Sequence, residues 1–243
     1  MIRGIGYIMA VCSLAISAQG VLAADGHAGH GHDMTHGQAA NAETAGDPFL
    51  LSTDPVSGEK LGPDAVVVSY QGRELRFASK QNAERFQADP KAYLGKVDQQ
   101  MIEQQKPLYP LATCVVSDEK LDGMGGGVDV IYKNRLVRFC CADCQKEFQK
   151  DPAKYVKKID DAVIKAQKAS YPIKECVVTG EALDSMGGGV DYVAGNRLIR
   201  FCCSGCIDKF KQNPTAYLQK LGSGPRAAAP DHAGAGHAGH DHH

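Results

Sequence analysis

The sequence predicts an α+β fold made of tandem small modules, each a β-hairpin followed by helix. Helices join the modules, and disordered His-rich termini flank them. Three observations carry this expectation. A unit of about 50 residues is written three times. Within each unit an alternating apolar pattern gives way to helical spacing. The 243 residues hold nine cysteines and nine histidines but no tryptophan, and only 7% are aromatic. Such a chain advertises several small cores, each fixed by something besides apolar area, rather than one large core.

Residues 1–23 read as a secretory signal. Arg3 gives the positive start, Ile5 to Ile16 is mostly apolar, and Val21-Leu22-Ala23 supplies small residues for cleavage. An uncleaved membrane anchor is the rival, but Ser13, Ser17, Gln19 and Gly20 interrupt the run before it reaches a spanning length. Cys12 follows Met9-Ala10-Val11, whose bulky last residue fits a lipobox poorly, so this cysteine is expected to leave with the signal. The mature chain is then secreted, and periplasmic if the source is a Gram-negative bacterium. Lys+Arg 27 against Asp+Glu 28 is nearly balanced, which argues against a nucleic-acid footprint or a polybasic membrane patch.

Residues 24–48 form the first His-rich segment, with His27, His30, His32 and His36. Residues 223–243 form the second, with His232, His237, His240, His242 and His243. Their Gly, Ala and Asp neighbours cannot bury enough surface to fold. Imidazole ligates Cu(II), Ni(II) or Zn(II) near neutral pH, so both segments are read as metal-collecting tails. Solubilising tails are the plainer alternative.

The repeats occupy residues 49–105, 106–168 and 169–222. Phe86, Phe148 and Phe210 recur 62 residues apart, each followed by Pro90, Pro152 or Pro214 and by Tyr93, Tyr155 or Tyr217. In the second copy Val128, Val130 and Tyr132 alternate, Lys133-Asn134 turns, and Leu136 to Phe139 returns, which is a hairpin pattern. Tyr70 to Arg73 and Val193 to Asn196 supply the turn in the other copies. A short helix through Cys144 to Phe148 stops at Asp151-Pro152. A longer one follows, with Tyr155, Val156, Ile159, Val163 and Ile164 on one face. Gly125-Gly126-Gly127 and Gly187-Gly188-Gly189 precede the hairpins, either as a tight positive-φ path or as a flexible loop.

Eight of the nine cysteines fall in the second and third copies. Cys114 precedes Cys140, Cys141 and Cys144, and Cys176 precedes Cys202, Cys203 and Cys206. With the doublet at a helix start and the lone cysteine in the preceding loop, each set is a candidate soft-metal site of zinc-ribbon or treble-clef type. Structural disulfides are the main rival in an exported protein. A redox role sits poorly here, because a thioredoxin-type C-x-x-C expects a βαβ setting. The first copy has Asp54, Ala78, Ser79 and Asn82 at the cysteine positions. It keeps the packing pattern and loses the thiols.

The run from Cys114-Val-Val-Ser through Tyr132-Lys-Asn-Arg-Leu-Val-Arg-Phe-Cys-Cys-Ala-Asp-Cys-Gln-Lys-Glu-Phe148 to Pro152 and Tyr155 resembles a YHS domain of the TRASH-like heavy-metal-binding group. The third copy resembles it equally well, and the first is similar in outline but departs at every cysteine. The resemblance implies a treble-clef-like fold and a role in heavy-metal trafficking, resistance or sensing. It implies Cys114, Cys140 and Cys144, and Cys176, Cys202 and Cys206, as ligands. Cys141 and Cys203 are then a fourth ligand or an exchange partner.

The expected protein is non-enzymatic, with no core histidine and no paired carboxylates. It takes up copper or, as the structural alternative, zinc, and it holds or hands on the ion, with a metal-transport or efflux protein as possible partner. Neither nucleic-acid binding nor membrane insertion of the mature chain is expected. The alternative class is a disulfide-stapled scaffold whose first module docks a partner.

Overall fold

The computed structural model describes residues 46–121 and 127–222. The signal stretch, Cys12, all nine histidines, Gly125 and Gly126 lie outside them. The first module comprises β1 (Val66–Tyr70), β2 (Arg73–Phe77), α1 (Lys80–Ala88) and α2 (Lys91–Gln105). The second comprises β3 (Val128–Tyr132), β4 (Arg135–Phe139), α3 (Ala142–Phe148) and α4 (Pro152–Gln167). The third comprises β5 (Val190–Ala194), β6 (Arg197–Phe201), α5 (Gly205–Gln212) and α6 (Pro214–Lys220). No helix among the described residues is long and apolar enough to cross a membrane.

Each strand pair is a two-stranded antiparallel sheet closed by a two-residue turn. Both turn residues have positive φ in every copy: Gln71-Gly72 (51° and 72°), Lys133-Asn134 (46° and 70°) and Gly195-Asn196 (54° and 58°). That is the primed-turn geometry matching the right-handed twist of the strands. In the third copy the turn lies one residue later than the sequence reading placed it, since Ala194 pairs with Arg197. Gly195 and Asn196 tolerate positive φ, and they take the corner. Upstream of each hairpin a tight loop is pinched by a single bridge, Thr53–Lys60, Thr113–Lys120 or Glu175–Ala182.

Of the two readings of the glycine run, the tight path holds for Gly187 to Gly189. Gly187 and Gly188 sit at φ 93° and 118°. A Cβ on Gly189 would stand 3.2 Å from the Arg200 guanidinium and 3.3 Å from the Leu183 carbonyl oxygen. Gly127 is equally pressed, against the Phe139 and Leu121 carbonyls.

Every module has its own core. At each centre the strand-end phenylalanine meets the repeat-marking one, with ring centroids 5.2 Å apart for Phe77–Phe86, 5.4 Å for Phe139–Phe148 and 5.6 Å for Phe201–Phe210. Pro152 and Pro214 open the helices that follow, where a missing N–H costs nothing, and Asp151 caps the first of them through Lys154 N.

A buried polar hub joins the modules at their hairpin turns. Gln105, at the end of α2, donates to the Asn134 carbonyl (2.9 Å) and accepts from Leu136 N (2.7 Å). Gln167, at the end of α4, repeats this with Asn196 O and Leu198 N, both at 2.9 Å. Arg73 donates to the Asn134 side chain, and Asn196 donates to the Leu136 carbonyl. Arg135 is fully buried between the carboxylates of Asp47 and Asp160, and its guanidinium also reaches Val193 O. Asp47 belongs to an entry strap that crosses the turns of the second and third modules before starting the first. Its Oδ2 accepts from Gly195 N at 2.7 Å. Leu50 of the strap enters the third core, while Phe49 and Leu51 enter the first. Arg76 in β2 donates to the carbonyls of Lys211 and Gln212 at the end of α5. Each module therefore touches both others.

Gln105→Ala leaves the Asn134 carbonyl and the Leu136 amide buried without their partner, a loss of about 3 kcal/mol. Urea unfolding is expected to show a midpoint shift of that size. A change below about 0.5 kcal/mol would mean that the glutamine is not the joint between modules.

Candidate metal centres

The pinched loop before each hairpin turns its backbone amides inward, and one side chain points into the resulting concavity. In the second module that side chain is Cys114, fully buried. Its own amide is occupied by Glu119 O and its carbonyl by Asp118 N. Burial pushes the thiol up, but the Ser117 amide and hydroxyl and the amides of Cys140 and Val116 outweigh it and bring the pKa down to about 7. Cys176 in the third module is held in the same way. Burial again opposes the amides of Thr179, Cys202 and Val178, and the net pKa is also about 7. Part of each population is therefore thiolate at neutral pH.

The hairpin and its following helix deliver the other thiols. Cys140 and Cys202 sit just past the ends of β4 and β6, and Cys144 and Cys206 lie in the first turns of α3 and α5. The sulfurs of Cys114, Cys140 and Cys144 all fall within 4.8 Å of one another, as do those of Cys176, Cys202 and Cys206. Cys140 and Cys144 are 3.6 Å apart, and Cys202 and Cys206 3.8 Å. Two thiolates bound at about 2.3 Å to a tetrahedral ion lie about 3.8 Å apart, so these pairs already have the spacing of a metal-site edge. All eight described cysteines are free thiols.

Cys141 and Cys203 stand apart from the triads and are half-exposed. Cys141 is the N-cap of α3, with its sulfur 3.9 Å from that of Cys140, and Cys203 lies 3.7 Å from Cys206. The Cys144 amide and thiol lower the Cys141 pKa, and the Cys206 thiol does most to lower that of Cys203. Cys144 moves the other way: burial and the neighbouring Cys140 thiol push it up to about 12.

Sequence reasoning missed two further groups at each site. Ser117 and Thr179 hydroxyls lie 3.3 and 3.5 Å from the Cys140 and Cys202 sulfurs. Glu119 and Glu181 carboxylates lie 3.5 and 3.8 Å from the same two sulfurs. The signal was present, because both pairs recur at the 62-residue spacing. On the outer side of the loop, Lys158 of α4 donates to Val115 O and Lys220 of α6 to Val177 O.

The first module explains what the concavity is for. Asp54 takes the place of the lone cysteine and is 2% exposed. Its Oδ1 accepts from Val56 N (2.6 Å) and Ser57 N (3.0 Å), and its Oδ2 accepts from Ala78 N (2.6 Å) and Asn82 Nδ2 (3.0 Å). The amides at these loop and strand-end positions are the ones that grip the thiolates of Cys114 and Cys176. A carboxylate and its hydrogen bonds thus fill the space that a thiol cluster occupies in the other copies. Burial opposes the Asp54 charge, but the amides of Ser57, Ala78 and Val56 with the Asn82 side chain hold the carboxyl below the usual carboxylate range.

The YHS domain family matches residues 52–97, which is this cysteine-free module. No curated protein and no solved structure shows a significant match to the chain. The other two modules share the element order of the matched one: pinched loop, hairpin, short helix, second helix.

A depressed folded-state pKa means that Asp54 stabilises the fold above the ordinary carboxylate value, about 4, and that this contribution disappears as pH falls through the lower folded value. Asp54→Asn is expected to cost about 2–3 kcal/mol at pH 7 and to flatten the stability profile as pH falls below the ordinary carboxylate value of about 4. Urea midpoints across that range decide it. A variant with wild-type stability at pH 7 would show that the carboxylate does not hold the loop.

Proposed function

We propose that the chain is an exported, non-enzymatic heavy-metal-binding protein whose second and third modules each hold one ion in a thiolate triad. The observation that carries this is the spacing of the two triads, each with three sulfurs mutually within 4.8 Å. A soft donor set of this kind selects Cu(I) or Zn(II) over hard cations. In the second site Cys114 supplies the ready thiolate, Cys140 and Cys144 complete the triad, and Ser117 orients the Cys140 sulfur. Cys176, Cys202, Cys206 and Thr179 do the same in the third. Copper is the first choice of cargo and zinc the alternative. The His-rich segments act as collectors that raise the local ion concentration, and an efflux or transport component takes the ion onward. The export step rests on the sequence of residues 1–23 alone.

The cysteine-free module supports this division of labour. It keeps the loop, hairpin and core with a carboxylate in place of the lone cysteine and no counterpart of the other three thiols, so those three are not needed to build the fold. Its part is to complete the three-module body.

Full-length protein purified anaerobically from the exported fraction is expected to carry about two thiolate-bound ions per chain. They are read by elemental analysis and by sulfur-to-metal charge-transfer absorption, which does not report histidine ligands. Cys114→Ser is expected to remove half of that absorption, and Cys114→Ser with Cys176→Ser nearly all of it. Metal-free protein with its eight module cysteines paired as disulfides would refute metal binding and favour a stapled scaffold.

A further inference from the structure

We propose that Cys141 and Cys203 are thiol–disulfide exchange sites, each pairing with the triad cysteine three residues on, so that oxidation withdraws one donor from the bound ion. The effect on the ion rests on the metal-binding function proposed above; the pairing itself does not.

Three features of the geometry point here. First, the doublet is divided. Cys140 and Cys202 are 3% and 2% exposed and belong to the triads, whereas Cys141 and Cys203 are half-exposed and lie outside them. Within each doublet a disulfide arriving from solvent therefore meets Cys141 or Cys203 first, and in the second module Cys144 is half-exposed as well. Second, the triad cysteine on the helix is close at hand. In the third module the Cys203 and Cys206 sulfurs are 3.7 Å apart, and in the second Cys141 caps the helix whose first turn carries Cys144. Closing such a contact to a bond of about 2.05 Å takes side-chain rotation without moving the fold. Third, pairing within the doublet is disfavoured by covalent geometry. Adjacent Cα atoms across a trans peptide are about 3.8 Å apart, below the range of about 4.4–6.8 Å that disulfides span. A Cys140–Cys141 or Cys202–Cys203 bond is therefore strained, and residues three apart on a helical turn fall within the range.

The oxidant is an external disulfide, either a small molecule or a protein. The Cys141 thiolate, having given up its proton, attacks one sulfur of that disulfide. A mixed disulfide forms, the external S–S bond breaks, and half of the oxidant leaves as a thiolate. The Cys144 sulfur then attacks the Cys141 sulfur, which forms the internal bond and expels the second half as a thiolate. Two electrons pass from the cysteine pair to the oxidant, and the two released thiolates take up protons according to pH. A Cys144 that was bound to an ion gives up that bond, leaving Cys114 and Cys140 as the remaining thiol donors. Cys203 and Cys206 do the same in the third module, leaving Cys176 and Cys202. Reduction restores both triads. The C-x-x-C spacing is thus used without the βαβ setting expected for it, as a stoichiometric release switch.

The test uses the full chain, reduced and loaded with Zn(II), beside Cys141→Ser/Cys203→Ser. Sulfur-to-metal absorption first measures thiolate-bound zinc in both. Equal loading is expected, and loss in the variant would make these cysteines ligands and overturn the proposal. Glutathione disulfide is then added with a chromogenic zinc chelator. Wild type is expected to release thiolate-bound zinc at least tenfold faster than the variant, with peptide mass mapping showing Cys141–Cys144 and Cys203–Cys206 bonds. Equal release rates, or disulfides that instead join Cys114 or Cys140 to Cys144, would overturn it. A chain that binds no zinc at its thiols yet forms the two mapped bonds overturns the metal function and leaves the pairing standing. One that loads zinc but forms other bonds overturns the pairing alone.

Discussion

A buried anion at the head of a pinched loop is the constraint on which the rest of each module depends. The loop turns several backbone N–H groups toward one point, and unpaired amides at such a place are costly. In the first module a carboxylate satisfies them, and in the other two a cysteine sulfur does, its pKa brought down to about 7 by those amides. That choice decides what the neighbouring residues are. Around a carboxylate an amide side chain, Asn82, and a serine N-cap, Ser79, complete a hydrogen-bond network within the protein. Around a thiolate the equivalent places hold more sulfur, and the cluster is left with donor capacity for something from outside. The fold is common to the three copies; only the partner of the anion differs.

The second organising element is the polar hub. Apolar side chains cross the contact, with Val193 and Leu198 of the third hairpin packed in the second core and Ile131 against the first, and among them the modules use buried amides and a buried guanidinium. Gln105 and Gln167 do equivalent work one repeat apart. Asp47 is brought in from the entry strap and draws Arg135 toward itself. The Asn134 side-chain oxygen accepts from Arg73, but that of Asn196 has no hydrogen-bond partner among the described residues. Groups this well buried demand defined geometry, so the hub fixes orientation as well as adhesion. It also places the thiol clusters on the outer ends of the modules, away from the contact.

Much of the architecture was readable in the sequence, because it is periodic. Phe86, Phe148 and Phe210 fixed the repeat, strand alternation fixed the hairpins, and the Asp-Pro and Asn-Pro steps fixed the helix breaks. The recurring cysteines marked two sets of four, and only the family resemblance singled out a triad in each. What could not be read was everything depending on contact between copies. Nothing local marks Gln105 or Asn196 as hub residues, since a polar side chain at a helix end or in a turn is ordinarily exposed. The strap was hidden for the same reason: Phe49, Leu50 and Leu51 are one apolar run, and only the packed structure divides it between two cores. The corner at Gly195-Asn196 was misplaced by one residue because Ala194 carries no local mark of strand pairing. Glu119 and Glu181 were visible as a repeat, but their approach to sulfur appears only once the loop is folded.

The grip of Arg76 on the carbonyls at the end of α5 bears on what the loss of one copy would do. Repeat proteins that stack neighbour on neighbour tolerate loss of a unit at their ends. Here the first unit holds the third as well as the second, so removing any one takes contacts from both others. Without the third, Arg135 would lose the Val193 carbonyl and Asp47 the Gly195 amide. Rewriting residues within a copy changes ligand capacity and leaves that mutual hold intact, as the aspartate in the first module exemplifies.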